Sequence, residues 1–186
     1  MNIKEMQEEV CEWAYGKGWE PDPDRSFADE CALMHSEVSE ALEAYRTWRF
    51  EDATRNAHGM ADGAYLPTAP AKPEGVGSEL ADVLVRLMHY TGMRGWTIDI
   101  AYQLPDRIKV KCMTFGGECT VMHRIISNAD AAFDFDLHNM VQEHLSALYA
   151  MLLYSCELHG YDLEWEYRRK MYYNCTRAWR HGNRTM

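Results

Sequence analysis

The sequence predicts an all-α protein, and three observations predict it. Apolar residues recur at helical spacing along most of the 186 residues. No stretch alternates strongly enough for a strand, and Ile108-Lys-Val-Lys-Cys112 is the one weak candidate. Several of the helices are apolar on one face only, and a bundle is the natural way to hide such faces. The length suits one domain with a real core, so residues 1–186 read as a single all-α domain.

Residues 3–16 form the first predicted helix, with Ile3, Met6, Val10, Trp13 and Ala14 near one face. Gly16-Lys-Gly-Trp-Glu-Pro-Asp-Pro-Asp24 breaks it with glycines and prolines. A second helix covers about 27–49, striped by Met34, Val38, Ala41, Leu42 and Tyr45. Residues 51–77 are rich in Gly, Ala and Pro and read as a long loop. A third helix runs over about 77–94, with Leu80, Val83, Leu84, Leu87 and Met88 inward, and Gly95 ends it. A short helix is expected from near Asp99 until Pro105 stops it. Later helices fall near 116–133, 138–159 and 162–180.

Lys+Arg 19 against Asp+Glu 29 gives a net charge of -10. That weighs against nucleic acid or an anionic membrane as the main partner. The apolar runs fall short of the roughly 20 residues of a membrane span. The polar, amphipathic N-terminus lacks a signal-peptide core. Cys11, Cys31, Cys112, Cys119, Cys156 and Cys175 are scattered, with no Cys-x-x-Cys. They read as reduced thiols, mostly buried, in a cytoplasmic protein. The histidines form no zinc pattern.

An internal repeat is visible. Glu30-Cys-Ala-Leu-Met-His-Ser-Glu-Val-Ser-Glu-Ala-Leu-Glu-Ala-Tyr45 aligns with Glu118-Cys-Thr-Val-Met-His-Arg-Ile-Ile-Ser-Asn-Ala-Asp-Ala-Ala-Phe133 at a constant offset of 88. Glu79, Leu84 and Tyr90 align with Glu143, Leu148 and Tyr154, and each helix is followed by Gly, an aromatic and an acid. Chance likeness between amphipathic helices explains shared Leu and Ala, but less readily the shared Glu-Cys-x-x-Met-His string.

The first copy carries Glu37-x-x-Glu40 and Glu79-x-x-Asp82. Residues at i and i+3 share a helix side. These acids sit at the edges of their apolar stripes, so an antiparallel pair of helices would bring all four together. The plain alternative is a solvated acidic face or local pairs such as Asp82 with Arg86. Two carboxylates about 6 Å apart repel by roughly 3 kcal/mol at an effective dielectric near 20. Six such pairs would exceed about 15 kcal/mol, comparable to a domain's whole stability. A converged cluster must protonate, spread or bind a cation. An all-oxygen set suits Mg²⁺, with Mn²⁺ as alternative, better than zinc.

Leu33-Met-His-Ser-Glu37-Val-Ser-Glu40-Ala-Leu-Glu-Ala-Tyr-Arg46, Ser78-Glu79-Leu-Ala-Asp82-Val-Leu-Val-Arg-Leu87 and Lys170-Met-Tyr-Tyr-Asn174-Cys-Thr-Arg177-Ala-Trp-Arg-His181-Gly182 together resemble the MazG-like nucleoside triphosphate pyrophosphohydrolases. That all-α group also contains the dimeric dUTPases. The resemblance is best over about 1–100 and 160–184. It implies hydrolysis of an NTP or dNTP to the monophosphate and pyrophosphate, with magnesium on Glu37, Glu40, Glu79 and Asp82. It implies Lys170 and Asn174 at the phosphates, with Arg177 in the same basic segment. It sets Gly16-Lys17-Gly-Trp19 near the nucleotide, making Lys17 and Trp19 substrate-binding candidates. Either Glu40 or Glu79 would take the proton from the attacking water. A basic helix end that merely complements the helix dipole is the plain alternative for the tail. The 51–77 loop is then either a lid over the nucleotide or an insertion.

The chain departs from the family pattern. About 65 residues carrying the second copy precede the tail. In that copy Glu37 aligns with Ile125, Glu40 with Asn128 and Asp82 with Ser146, and only Glu79 keeps an acid, Glu143. Residues 1–105 are therefore expected to be the MazG-like unit with the metal site. Residues 115–186 are expected to be a degenerate unit plus basic tail, packed on the first as an internal pseudo-dimer. A further homodimer stays open. The competing function is a non-catalytic nucleotide-binding or sensing protein of the same fold, and after it an interaction scaffold.

Overall fold

A computed structural model describes residues 2–19, 26–48, 72–112 and 114–179. Among the described residues the apolar stripes become seven helices, with no strand. They are α1 (Ile3–Gly16), α2 (Phe27–Trp48), α3 (Val76–Arg94), α4 (Asp106–Lys111), α5 (Phe115–Asp134), α6 (His138–His159) and α7 (Leu163–Thr176). No helix among them is long and apolar enough to cross a membrane.

Local chemistry sets the boundaries. The Asn2 side chain accepts from the Lys4 and Glu5 amides and opens α1. Ser26 and Asp29 exchange side-chain-to-amide bonds, at 2.9 and 3.1 Å, as a capping box for α2. Thr114 caps α5 and Asp162 caps α7. Helices α3 and α6 both end on a left-handed glycine, Gly95 and Gly160. In each, the following aromatic amide reaches back five residues, Trp96 to the Thr91 carbonyl and Tyr161 to the Cys156 carbonyl.

Three expectations need correction. No helix runs from Asp99 to Pro105; those residues form turns and irregular chain. Pro105 instead stands at the N-cap of α4, where its fixed φ and missing N–H cost nothing. Of Ile108–Cys112, the one weak strand candidate, Ile108–Lys111 lies within that helix and Cys112 caps its end. The last helix stops at Thr176, short of 180. Of the expected 51–77 loop, residues 51–71 lie outside the described residues, and α3 begins at Val76.

Helices α2 and α3 form an antiparallel pair. Phe27 stacks on Tyr90 at one end (4.8 Å between ring centres), and Glu40 meets Glu79 towards the other. Helices α5 and α6 pack as a second pair, and α2 lies against α5. Both α1 and α7 lie on α3. Gly92 lets α1 approach, since a Cβ there would stand 2.7 Å from the Cys11 sulfur. One continuous core runs from Met6 through Leu84 and Met122 to Met171.

Contacts between the two pairs are reciprocal. His35 and His123 face each other, Nδ1 to Nδ1 at 2.7 Å, 88 residues apart. Phe27 packs on Phe133 with ring centres 4.8 Å apart. Phe115 packs on Tyr45 at 5.0 Å. Phe115 and Phe133 are the positions that the 88-residue offset assigns to Phe27 and Tyr45.

Candidate functional site

The antiparallel pairing of α2 and α3 builds a polarised cavity of about 390 Å³. Leu33, Glu37 and Glu40 line it from α2, and Glu79, Asp82, Val85, Arg86 and His89 from α3. Along the shared axis, acids occupy one end, while Leu33 and His89 mark the other. Trp13 and Ala14 from α1, Trp19 from the turn after it, and Lys170, Tyr173, Asn174 and Arg177 from the α7 segment complete the wall.

One oxygen from each of Glu37, Glu40 and Glu79 lies within 4.8 Å of the other two. It is the one such ligand group found among the described residues. Glu37 and Glu79 are buried, and Glu40 is exposed. Burial raises the Glu79 carboxyl to about 7, with Lys170 pulling it down and Asp82 pushing it up. Burial also raises Glu37, against the opposing guanidinium of Arg86. Arg86 Nε donates to Glu37 Oε1 across the helix pair at 3.1 Å.

Asp82, the fourth predicted acid, stands on the same cavity but is occupied differently. Its Oδ2 takes the Lys170 ammonium at 2.5 Å. That lysine is 2% exposed and also donates to Ser78 Oγ at 2.9 Å. The bundle thus joins α7 to the acids within one chain. One turn further along α7, Asn174 is buried on the same wall, and its Oδ1 has no hydrogen-bond partner among the described residues. Such an orphan costs about 1–3 kcal/mol, and a ligand's polar group would satisfy it.

The predicted residues divide accordingly. Glu37, Glu40, Glu79, Asp82, Lys170, Asn174, Arg177 and Trp19 all line the cavity. Lys17 stands elsewhere. Its ammonium donates to the Cys175 and Arg177 carbonyls at 2.7 and 2.6 Å, tying the end of α1 to the end of α7. Gly18 beside it has φ +82, and a Cβ there would sit 2.3 Å from the Trp179 ring. The Gly-Lys-Gly-Trp turn therefore clamps the tail and swings Trp19 into the cavity.

Arg86, His89 and Lys72 were not predicted at the site. Arg86 and His89 follow Glu79 and Asp82 at spacings of three and four, so helical phase alone would have found them. Lys72 precedes α3 in irregular chain, where no phase exists.

The corresponding region of the second pair gathers no such set. Asn128 and Glu143 are exposed. Ser146 accepts the Asp99 amide at 2.9 Å, and Gln142 accepts the Thr97 amide at 3.1 Å. The segment after α3 thus lies along the start of α6.

The three converged carboxylates fit a hard divalent cation. All donors are oxygens, and the exposed side at Glu40 leaves room for the waters that Mg²⁺ retains. No family model, characterised protein or solved structure matches the chain.

Proposed function

We propose that the chain hydrolyses a nucleoside triphosphate to the monophosphate and pyrophosphate with magnesium at Glu37, Glu40 and Glu79. One observation carries this reading. Three carboxylates, a buried lysine and an unsatisfied amide share a single cavity with two tryptophans. A bound divalent cation would supply charge neutralisation and orientation for the phosphates.

The chain's own groups supply the rest. Lys170 presents a point charge from α7, and Arg177 a second cation at the cavity wall. The Asn174 amide offers a neutral polar contact. Trp13 and Trp19 give apolar surface on which a base can stack. The proton of the attacking water goes to a carboxylate of the cluster that does not fully ligate the metal, Glu40 or Glu79.

The second helix pair is read as a degenerate copy acting as an internal partner, a pseudo-dimer within a MazG-like bundle. In a two-fold contact a residue on the axis meets its own equivalent, and other contacts occur in reciprocal pairs. His35 with His123 is the first kind, and Phe27–Phe133 with Tyr45–Phe115 the second. The copy keeps the packing residues Met122, Leu148 and Leu152, all fully buried. One nucleotide site per chain follows.

The test is pyrophosphate release from a panel of all NTPs and dNTPs, with and without Mg²⁺. Release that needs Mg²⁺ and falls at least about a hundredfold in Glu79→Gln supports the reading. Metal-dependent nucleotide binding without release would favour a sensor of the same fold.

A further inference from the structure

Lys170 is placed unusually for a residue meant only to meet a solvent-borne ligand. It is a lysine 2% exposed, held on Asp82 and on Ser78, whose own hydroxyl donates to the Pro73 carbonyl at 3.0 Å. Asp82 is the one member of the acid quartet outside the three-carboxylate convergence. The lysine and the missing fourth ligand are therefore the same fact seen twice. Four carboxylates face the cavity, and two cations bond directly to them, Arg86 to Glu37 and Lys170 to Asp82. Lys72 and Arg177 line the same cavity, so its four carboxylates are matched by four cations. Full use of Asp82 by a divalent cation requires the ammonium to leave.

We propose that Lys170 is a resident counter-ion of the acid cluster, competing with a divalent cation for Asp82 and transferring to the substrate's phosphates when metal and nucleotide enter together. This rests on the metal-site reading above. A buried carboxylate without a partner is costly, so the lysine keeps Asp82 charged and in place while no metal is there. An ammonium on a flexible four-carbon stem is suited to the transfer, since it is a point charge with rotatable donors. The incoming triphosphate brings its own negative charge, so the ammonium exchanges one anion for another. The site consequently favours metal together with nucleotide over metal alone. Removing the lysine reverses the preference: metal alone gains, and metal-nucleotide loses.

The experiment titrates Mn²⁺ alone into the nucleotide-free full chain. It compares the parent, Lys170→Gln, Asp82→Asn and the double variant, with Lys170→Met if the glutamine form does not fold. Glutamine keeps a hydrogen bond to Ser78 and removes the charge. Lys170→Gln is expected to bind Mn²⁺ at least about tenfold tighter, because a positive neighbour has gone. In the Asp82→Asn background the same change should gain much less, at most about threefold, because the contested carboxylate is absent and only the loss of the ammonium's repulsion remains. With Mn²⁺ saturating, a non-hydrolysable triphosphate should bind the Lys170→Gln protein at least about tenfold more weakly. Unchanged or weaker Mn²⁺ binding in Lys170→Gln, with metal-dependent pyrophosphate release intact in the parent, overturns the competition alone. An equal gain in the Asp82→Asn background overturns it too. A parent that neither binds Mn²⁺ nor releases pyrophosphate overturns the metal site and this inference together.

Discussion

His35 Nδ1 and His123 Nδ1 stand 2.7 Å apart where α2 meets α5, with their rings stacked at 5.0 Å. The short approach requires one nitrogen to donate and the other to accept, so at least one of the two rings must be neutral for the contact to hold. The contact that joins the two helix pairs is therefore sensitive to protonation.

That sensitivity has a definite sign. Burial lowers His35, with Asp130 opposing, and burial together with the neighbouring ring lowers His123, both from 6.5. A histidine lowered on folding takes up protons in the unfolded chain first. Its stabilisation is present above 6.5 and lost as pH falls below it. Replacing both with glutamine gives a pair that can hydrogen-bond but cannot titrate. Thermal melts at pH 8 and pH 5 should then show the parent losing ground to the double variant at the lower pH. A constant gap between the two would remove the pair as the cause.

Glu79 acts in the opposite direction. Its carboxyl is raised from 4.5 to about 7, chiefly by burial. Its contribution is fully present below 4.5 and is lost as pH rises through about 7, where the folded protein must hold the charge. In metal-free protein, Glu79→Gln should gain stability relative to the parent as pH climbs across that window. Mg²⁺ should raise the parent's melting temperature more at pH 8 than at pH 6, because ligation needs the carboxylate. If the glutamine variant tracks the parent at every pH, Glu79 is not the strained group.

Much of this was legible in the sequence, and the limits have physical causes. Periodicity placed α1, α2, α3, α5 and α6 within a residue or two, since each carries a sustained apolar stripe. It failed at α4, six residues with none of them buried, where no stripe exists to read. The acids were legible because the i, i+3 spacing fixes a shared side. Their partners were not. Arg86 reaches Glu37 across two helices, and Lys170 reaches Asp82 from the end of the chain. Such pairings depend on crossing geometry, which a linear pattern does not encode. Lys17 shows the same limit: its motif position suggested a ligand contact, while its ammonium closes on backbone carbonyls.

Glu118 gives a control that separates stability from function. It is fully buried and accepts from Ser155 Oγ at 2.5 Å, with His159 Nε2 at 2.9 Å. Both partners lie on α6, so the cluster locks α5 to α6 far in sequence from the Glu37 group. His159→Leu removes one of these side-chain partners of the buried Glu118 carboxyl and should cost about 1–3 kcal/mol in chemical denaturation. Below its melting temperature the variant should bind Mn²⁺ and release pyrophosphate as the parent does. Loss of Mn²⁺ binding in well-folded His159→Leu would mean the two clusters are one system.

The tail clamp makes the sharpest separation between metal and nucleotide. Lys17 holds the Cys175 and Arg177 carbonyls, and Gly18 receives the Trp179 ring, while Arg177 itself lines the cavity. The converged acids, by contrast, sit on α2 and α3, away from the clamp. Gly18→Ala forces a side chain into a left-handed backbone, at about 1–2 kcal/mol, and drives its Cβ into the indole. The Trp179 ring must leave, and the end of α7 loosens with it. Trp179→Ala clears that space, so adding Gly18→Ala to it should cost only the backbone term, a non-additivity that a double-mutant cycle reads directly. Lys17→Met should release the same segment by removing the ammonium from both carbonyls. In Gly18→Ala and Lys17→Met alike, a non-hydrolysable triphosphate should bind several-fold more weakly while Mn²⁺ alone binds as before. Equal losses of both ligands would place the clamp in the core of the fold instead, and unchanged triphosphate affinity would remove Arg177 from the nucleotide's reach.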